Sequence, residues 1–156
     1  MSATEPASDA LKAADVSPHE LGVRVYYEDT DFSGFVYHAR YLHFLERGRT
    51  DFIRALGITQ SLLADGDGLV FVVHHMDISF RRSARMDDIL EIRTRPRISG
   101  RTKLTFEQDI LRGGEVLIAA RVDIATVNGQ GRPRRIPEAV LAGLGPFAVP
   151  RETSGE

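Results

Sequence analysis

The most constraining feature of the sequence is one long apolar helical pattern, followed by four segments that alternate apolar and polar residues. The helical pattern begins near residues 36–39 and ends at Gly57, which is suited to the position just beyond a helix. Its apolar residues recur at the spacing of one helix face. They are Tyr41, Leu42, Phe44, Leu45, Phe52, Ile53 and Leu56. Gly48 lies inside this pattern and costs about 0.5–1 kcal/mol relative to alanine, so we expect a close approach to another backbone there.

Alternation with a period of two predicts five strands. One precedes the helix, at residues 21–27. The other four follow it, at residues 70–82, 90–95, 104–110 and 116–126. In the second strand, one face is predicted to carry Val70, Val72, Met76, Ile78 and Phe80. Gly113 and Gly114 predict a two-residue hairpin loop, and residues 87–88 and 99–100 predict turns.

This order predicts an α+β fold in which one helix covers one face of a five-stranded antiparallel sheet. The other face and both edges are then left for a partner subunit, so we expect an oligomer. We assign residues 1–20 to a mobile arm, residues 21–148 to a single domain and residues 149–156 to a frayed tail. A short helix is predicted at residues 137–144, with Pro137 in its first turn.

Composition narrows the classes of function. The 156-residue chain is 42% hydrophobic and 27% charged, as is usual for one globular domain. It has no cysteine, which excludes disulfides, thiolate–zinc sites and a cysteine nucleophile. A reducing cytoplasm is the default expectation for the location of such a chain. A formal net charge of -2 argues against general nucleic-acid binding. No apolar run reaches the roughly 20 residues of a membrane span.

A dense polar cluster lies between the first predicted strand and the helix. Its members are Glu28, Asp29, Asp31, Ser33, Gly34, Tyr37 and His38. A helix N-terminus presents unpaired N–H groups and the positive end of the helix dipole, which stabilise a carbonyl oxygen that gains negative charge. An aspartate beside it can attack a carbonyl or activate water. Aspartate and serine also cap helices, so spacing alone leaves both interpretations open.

The same segment resembles a family signature. Residues 27–49 read YEDTDFSGFVYHARYLHFLERGR, which is similar to the hotdog-fold acyl-CoA thioesterases of the 4-hydroxybenzoyl-CoA thioesterase family. The similarity is closest to the YbgC-type branch that is encoded with the Tol–Pal system, and it extends over about residues 23–137. The sequence departs from the family at Phe35, where Val or Ile is usual, and at Phe32 and Ser33, which are often smaller.

The resemblance implies a hotdog fold, in which a curved antiparallel sheet wraps a long helix. It also implies homodimers or homotetramers with sites at the interface and an acyl-CoA substrate. Asp31 matches the catalytic aspartate of the family. The thioester carbonyl is expected to accept an N–H from the backbone around Tyr37 and His38.

The resemblance suggests further substrate contacts. The His38 ring is expected either to position water or the leaving thiolate, or only to pack locally beside a functional N–H. Tyr27 is expected to line the pocket or to belong to the core, and Gly34 would let a ligand approach the backbone. Arg101 and Lys103 lie in the turn where family members carry basic residues. They are the candidates for binding the CoA phosphates, since arginine forks suit phosphate groups.

Two other functions remain as alternatives. A hotdog hydratase or dehydratase would pair an acid with a histidine at a different helix position, a pattern that we do not find. A non-catalytic acyl-CoA-binding or envelope-associated scaffold protein would keep the pocket but tolerate loss of Asp31.

No cofactor is expected. A metal site is not expected either, because His74 and His75 are adjacent on a strand and point to opposite faces, and the sequence has no cysteine and no other cluster with metal-ligand spacing. For Glu46 we favour an ion pair with Arg47 or Arg49 over a role as a second acid near the substrate.

Overall fold

The computed structural model describes residues 17–58, 68–99 and 102–145. The elements in chain order are β1 (His19–Arg24), a 3-10 turn (Tyr27–Asp29), α1 (His38–Ala55), β2 (Val70–Phe80), β3 (Ile89–Ser99), β4 (Lys103–Arg112), β5 (Glu115–Val127) and α2 (Glu138–Leu144). The strands form one antiparallel sheet in the order β1-β3-β4-β5-β2. An open, curved sheet packs against one long helix, which confirms the predicted α+β hotdog fold.

The buried core has two apolar clusters along α1. The first surrounds the N-terminal half of the helix and includes Tyr41, Phe44 and Leu45. The second surrounds the C-terminal half and includes Phe52 and Ile53, together with residues of α2. The sheet supplies the opposite wall of both clusters, so α1 is held along its whole length.

A buried polar network lies between the two clusters, at Gly48. A Cβ atom at Gly48 would lie 2.6 Å from Ile92 Cγ2 and 3.0 Å from Thr94 Oγ1. Gln108 Nε2 donates to the Leu45 carbonyl and to Thr94 Oγ1, each at 2.9 Å. The predicted close approach is therefore present, but the neighbouring atoms belong to side chains of β3 and β4 and not to the backbone.

Strand β2 differs from its predicted pattern. A register shift against β5 between Val73 and His75 marks a bulge. Beyond a bulge, side chains change face. Phe71 and Met76 therefore both pack against the core, whereas Val72 is exposed. The prediction that Val70 and Val72 share a face with Met76 and Ile78 was wrong.

Element boundaries also differ. β1 begins at His19 and ends at Arg24, and Tyr27, predicted to lie in this strand, starts the 3-10 turn. β3 continues through Pro96 to Ser99. Proline is accepted there because β1 begins at His19, opposite Thr94, and no described strand pairs with that edge of β3 beyond Thr94. Pro137 is the N-cap of α2, not part of its first turn.

Parts of the predicted organisation lie outside the described residues. These are most of the arm, residues 1–16, and the tail, residues 149–156. Within the predicted arm, His19 and Glu20 are paired with β3.

Candidate functional site

The candidate site is built on a short loop that leads from the 3-10 turn into α1. Asp31 N–H donates to the Phe35 carbonyl at 2.9 Å, and Gly34 N–H donates to the Asp31 carbonyl at 3.0 Å. Tyr37 N–H donates to the Asp29 carbonyl at 2.9 Å. Gly34 has φ +85°, a conformation that glycine adopts without steric cost. These bonds fold the loop back on itself and hold Asp31 beside the start of the helix.

The Asp31 carboxylate is exposed at this loop. Its Oδ1 accepts hydrogen bonds from the Ser33 hydroxyl and from the Ser33 N–H, the latter at 2.8 Å. These donors hold the pKa of Asp31 below its ordinary value, and the electrostatic influence of the nearby His38 acts in the same direction. Within the described residues, no group donates to Oδ2. Asp31 is therefore an ionised carboxylate with one fixed oxygen and one free oxygen.

Asp29 is the second aspartate of the loop, and its surroundings are the opposite. It is only 4% exposed. Its Oδ1 lies 2.8 Å from Arg40 Nε, and its Oδ2 accepts the Tyr26 N–H at 2.8 Å. Asp29 thus fastens the loop to the first turn of α1 and has no oxygen turned toward solvent for chemistry.

The N-terminus of α1 is left uncapped. The N-cap residue, Tyr37, makes no side-chain capping bond. No backbone carbonyl or side chain among the described residues accepts a hydrogen bond from the N–H of His38 or Ala39. The His38 side chain is exposed and the Ala39 side chain is partly exposed. Free N–H groups at the positive end of a helix bind an oxygen that carries negative charge, so this end of α1 can polarise a carbonyl.

Aromatic side chains surround the same helix end. The rings of Tyr37 and His38 lie 4.6 Å apart, and the His38 ring is 6.2 Å from that of Phe80. Phe80 also contacts Tyr41 at 6.1 Å. The Tyr41 hydroxyl accepts the Ala84 N–H at 2.9 Å, and burial raises its pKa. Tyr37 and Phe80 are each about half exposed, and they form an apolar wall beside the free N–H groups.

The structure brings together some of the predicted site residues and not others. Asp31, Gly34, Tyr37 and His38 share the loop and the helix end. Tyr27 is 79% exposed, so it does not belong to the core. Arg101 lies outside the described residues. Lys103 is at the start of β4, opposite Ser99.

Lys103 is far from Asp31 within one chain. The Asp31 loop contacts the segment just before β3, where Phe35 pairs with Arg85. Lys103 is at the other end of β3, which has 11 residues and so spans roughly 33 Å at about 3.3 Å per residue. Lys103 is therefore remote from the Asp31 loop of its own chain.

The structure adds three residues that the sequence analysis did not assign to the site. They are Arg40, which binds Asp29; Phe80, which contacts His38; and Arg85, whose guanidinium lies 4.5 Å from the centre of the Phe35 ring. Arg40 is the third residue of α1, so its place just after the predicted helix start was the available signal for a role in the first turn. The sequence near Phe80 does not indicate a role in the site, because its contact with His38 joins residues that are distant in sequence.

Glu46 does not form the predicted ion pair. It accepts a hydrogen bond from the Thr50 hydroxyl at 2.8 Å, and Arg49 donates to Gln108 Oε1 at 3.0 Å. Neither Arg47 nor Arg49 lies within ion-pair distance of Glu46 in the described part of the chain. Arg49 instead joins the buried network next to Gly48.

Metal sites and membrane spans are both absent from the part of the chain that the structure describes. Across residues 17–58, 68–99 and 102–145, no group of three or more histidine, aspartate or glutamate side chains is placed to bind a metal ion. None of the helices in that same part of the chain is long and apolar enough to cross a membrane.

A separate cavity of about 620 Å³ lies on the outer face of the sheet. It is lined mainly by charged side chains, among them Arg93, Arg95, Glu107, Asp109 and Arg121. Burial raises the pKa of Asp109 within it. No residue of α1 or of the Asp31 loop lines this cavity, so we do not assign the chemistry to it.

Comparisons with known proteins identify the family of this chain. The thioesterase superfamily matches residues 33–119. Acyl-CoA thioesterase YbgC of Haemophilus influenzae is 45% identical over 122 residues, covering 77% of this chain and 89% of that protein. Acyl-CoA thioester hydrolase YbgC of Escherichia coli O6:H1 is 39% identical over 122 residues, 77% of this chain and 90% of that protein.

A solved structure is similar to this chain as well. The crystal structure of a probable thioesterase from Bartonella henselae superposes with a TM-score of 0.75 at 48% identity, covering 78% of this chain and all of that chain. The family match begins at Ser33, two residues after Asp31, and continues through α1 into β5. The chain belongs to the thioesterase superfamily.

Proposed function

We propose that this protein hydrolyses acyl-CoA thioesters and that Asp31 is the catalytic carboxylate. The observation that carries this proposal is an exposed, hydrogen-bonded carboxylate next to a helix N-terminus with free N–H groups. The substrate class is supported by the names of the relatives, which are acyl-CoA thioesterases and thioester hydrolases.

The N-terminus of α1 positions the thioester carbonyl of the substrate. Its oxygen accepts the His38 N–H and gains negative charge as the carbonyl carbon is attacked. The helix dipole and the free N–H stabilise that charge without moving, which is the main advantage of a preorganised site. The apolar wall of Tyr37 and Phe80 is where the acyl group would pack.

Asp31 Oδ2 supplies the chemistry by one of two routes. It attacks the carbonyl carbon, the CoA thiolate leaves, and water hydrolyses the resulting mixed anhydride. Alternatively, it takes a proton from a water molecule that attacks the carbonyl carbon directly. Both routes yield the free acid and CoA. Thiolate is a good leaving group, so neither route depends on a strong general acid.

We further propose that the protein acts as a homodimer or homotetramer in the cytoplasm. β2 is an edge strand, bonded only to β5 in the described sheet, and it exposes Val70, Val72 and Val73. An exposed apolar edge strand is a template for pairing with a strand of another chain. β2 ends at Phe80 beside His38, so a subunit paired along this edge borders the site. Lys103 and Arg101 of another subunit are then available for the CoA phosphates.

The experiment measures turnover of a panel of short, long and aromatic acyl-CoAs, with the release of the free CoA thiol as the readout. We expect hydrolysis of at least one ester, and loss of hydrolysis in Asp31→Asn. A folded protein that binds acyl-CoA but does not release thiol would favour the scaffold alternative. Conversion of an enoyl-CoA with the thioester intact would favour the hydratase.

A single turnover in heavy-oxygen water can identify the nucleophilic route. Label enters the Asp31 carboxylate when water attacks the aspartyl carbonyl of the mixed anhydride, whereas a general base takes up no label. Light scattering at micromolar concentration tests the assembly, and a strictly monomeric active species would contradict it.

A further inference from the structure

We propose that Ser33 is a positioning residue, which fixes Asp31 Oδ1 through two hydrogen bonds so that Oδ2 faces the substrate. This inference rests on the proposed role of Asp31. It concerns a residue at which this sequence departs from the smaller side chains that are common in the family.

The hydrogen bonds around Ser33 restrict its hydroxyl to one orientation. The Phe35 N–H donates to Ser33 Oγ at 3.2 Å, which occupies an acceptor position of the hydroxyl. The hydroxyl proton is therefore directed at Asp31 Oδ1. The Ser33 N–H donates to the same oxygen at 2.8 Å. Two donors on one oxygen restrict rotation of the carboxylate, and a fixed orientation is worth a large rate factor in a reaction of this kind.

Capping does not explain these contacts. The N-cap of α1 is Tyr37, four residues beyond Ser33, and its side chain makes no capping bond. Neither Asp31 nor Ser33 accepts a hydrogen bond from an N–H of the first helical turn. The loop itself is closed by backbone bonds from Asp31 and Gly34. The Ser33 hydroxyl is thus committed to the carboxylate.

The same donors set the charge state of Asp31. They lower its pKa, with the hydroxyl of Ser33 as the largest contribution and its N–H as the second. His38, on α1, is the titratable group that faces Asp31 from another element in the described part of the chain, and its contribution to the Asp31 pKa is smaller. Without the hydroxyl, the carboxylate would be freer to rotate and would take up a proton at higher pH.

The test compares Ser33→Ala with Ser33→Thr, which keeps the hydroxyl. The control is Thr30→Ala, which removes a hydroxyl of the same loop that donates to the Tyr27 carbonyl at 2.8 Å. Two quantities are measured for each variant. One is the titration of the Asp31 carboxyl carbon by NMR, and the other is kcat and KM on the best acyl-CoA as a function of pH.

We expect Ser33→Ala to move the Asp31 titration, and the acidic limb of kcat/KM, to higher pH. We expect kcat to fall by roughly tenfold, the scale of one net hydrogen bond, with little change in KM. Ser33→Thr should restore both, and Thr30→Ala should change neither. An unmoved titration and unchanged kcat in Ser33→Ala would overturn the inference, as would Ser33→Thr behaving like Ser33→Ala.

Failure of this inference is distinguishable from failure of the proposed function. Full turnover by Asp31→Asn would overturn the role of Asp31. The NMR titration reports the contact between Ser33 and Asp31 whether or not the protein turns over. Loss of turnover in Asp31→Asn, with an unmoved titration in Ser33→Ala, would overturn the inference alone.

Discussion

The two ends of α1 are built in opposite ways. At the C-terminal end, Gly57 has φ +79°, and its N–H donates to the Arg54 carbonyl at 2.9 Å. The Ile58 N–H donates to the Ile53 carbonyl at 3.3 Å. This pattern satisfies the last carbonyl groups. At the N-terminal end, the N–H groups of His38 and Ala39 have no partner in the described part of the chain.

This difference separates stability from function along one helix. The C-terminal half is closed by its own backbone bonds and packs against α2 within a buried cluster. The N-terminal half also packs in a buried cluster, but its first turn is fastened to the loop by Asp29 and Arg40, on the inner side of that loop. The outer side of the same loop is therefore free to present Asp31 and unpaired N–H groups to a ligand. Substitutions along the helix should accordingly differ in whether they lower stability, turnover or both.

Asp29→Ala should destabilise the fold the most. It removes a buried carboxylate and leaves Arg40 without its ion pair. We expect the free energy of unfolding to fall by about 3 kcal/mol. This value is at the lower end of the range for breaking a buried ion pair, because Arg40 is partly exposed. Urea unfolding measures this loss. Asp51→Ala is the matched control, since the Asp51 side chain is about half exposed and its pair with His19 should contribute less than about 1 kcal/mol. Equal losses in the two variants would contradict the structural role of Asp29.

Gly48→Ala should also destabilise, although alanine favours helices. The added Cβ would meet Ile92 Cγ2 at 2.6 Å, and overpacking of this kind costs typically about 1–3 kcal/mol. Gly143→Ala in α2 is the control, because its Cβ would lie 3.4 Å from the end of the Ile58 side chain. Gly143→Ala should be neutral or slightly stabilising. A more stable Gly48→Ala protein would show that α1 can move away from the sheet.

Gly57→Ala and Gly34→Ala compare the two ends most closely. Both glycines have positive φ, and a Cβ atom added at either one would have no described neighbour within 4 Å. Each substitution should therefore cost about 1–2 kcal/mol through backbone strain alone. Only Gly34→Ala should also lower kcat, because it distorts the Asp31 loop. Thermal unfolding and turnover measure the two effects, and an equal loss of kcat in both variants would show that kcat follows stability.

The fold could be predicted because its signals are local and periodic. A helical stripe of 18 residues and four alternating strands specify their elements directly, and Gly57 marked the end of α1 correctly. The face assignment of β2 failed because one extra residue at the bulge reverses the alternation, and nothing in the local sequence marks that position. The ion pair predicted for Glu46 failed because Arg49 makes its bond across 59 residues, to Gln108.

The candidate site was only partly accessible from the sequence. Asp31 could be proposed from the signature and from its place before a helix. The opposite burial of Asp29 and Asp31 could not be predicted, because the two aspartates are only two positions apart and the local sequence does not show which of them is buried. The contact between Phe80 and His38 likewise depends on the fold. The separation of Lys103 from Asp31 follows from the length and register of β3.

The central claim is that Asp31, and not Asp29, performs the chemistry. The most direct test measures kcat of Asp31→Asn and Asp29→Asn on the best acyl-CoA, at a temperature where thermal unfolding shows both to be folded. We predict that Asp31→Asn loses about 10²–10⁴-fold in kcat with near-normal stability, since its carboxylate is exposed. Asp29→Asn should lose stability and far less kcat. Near-normal turnover by folded Asp31→Asn, or a larger loss of kcat in Asp29→Asn, would contradict the account.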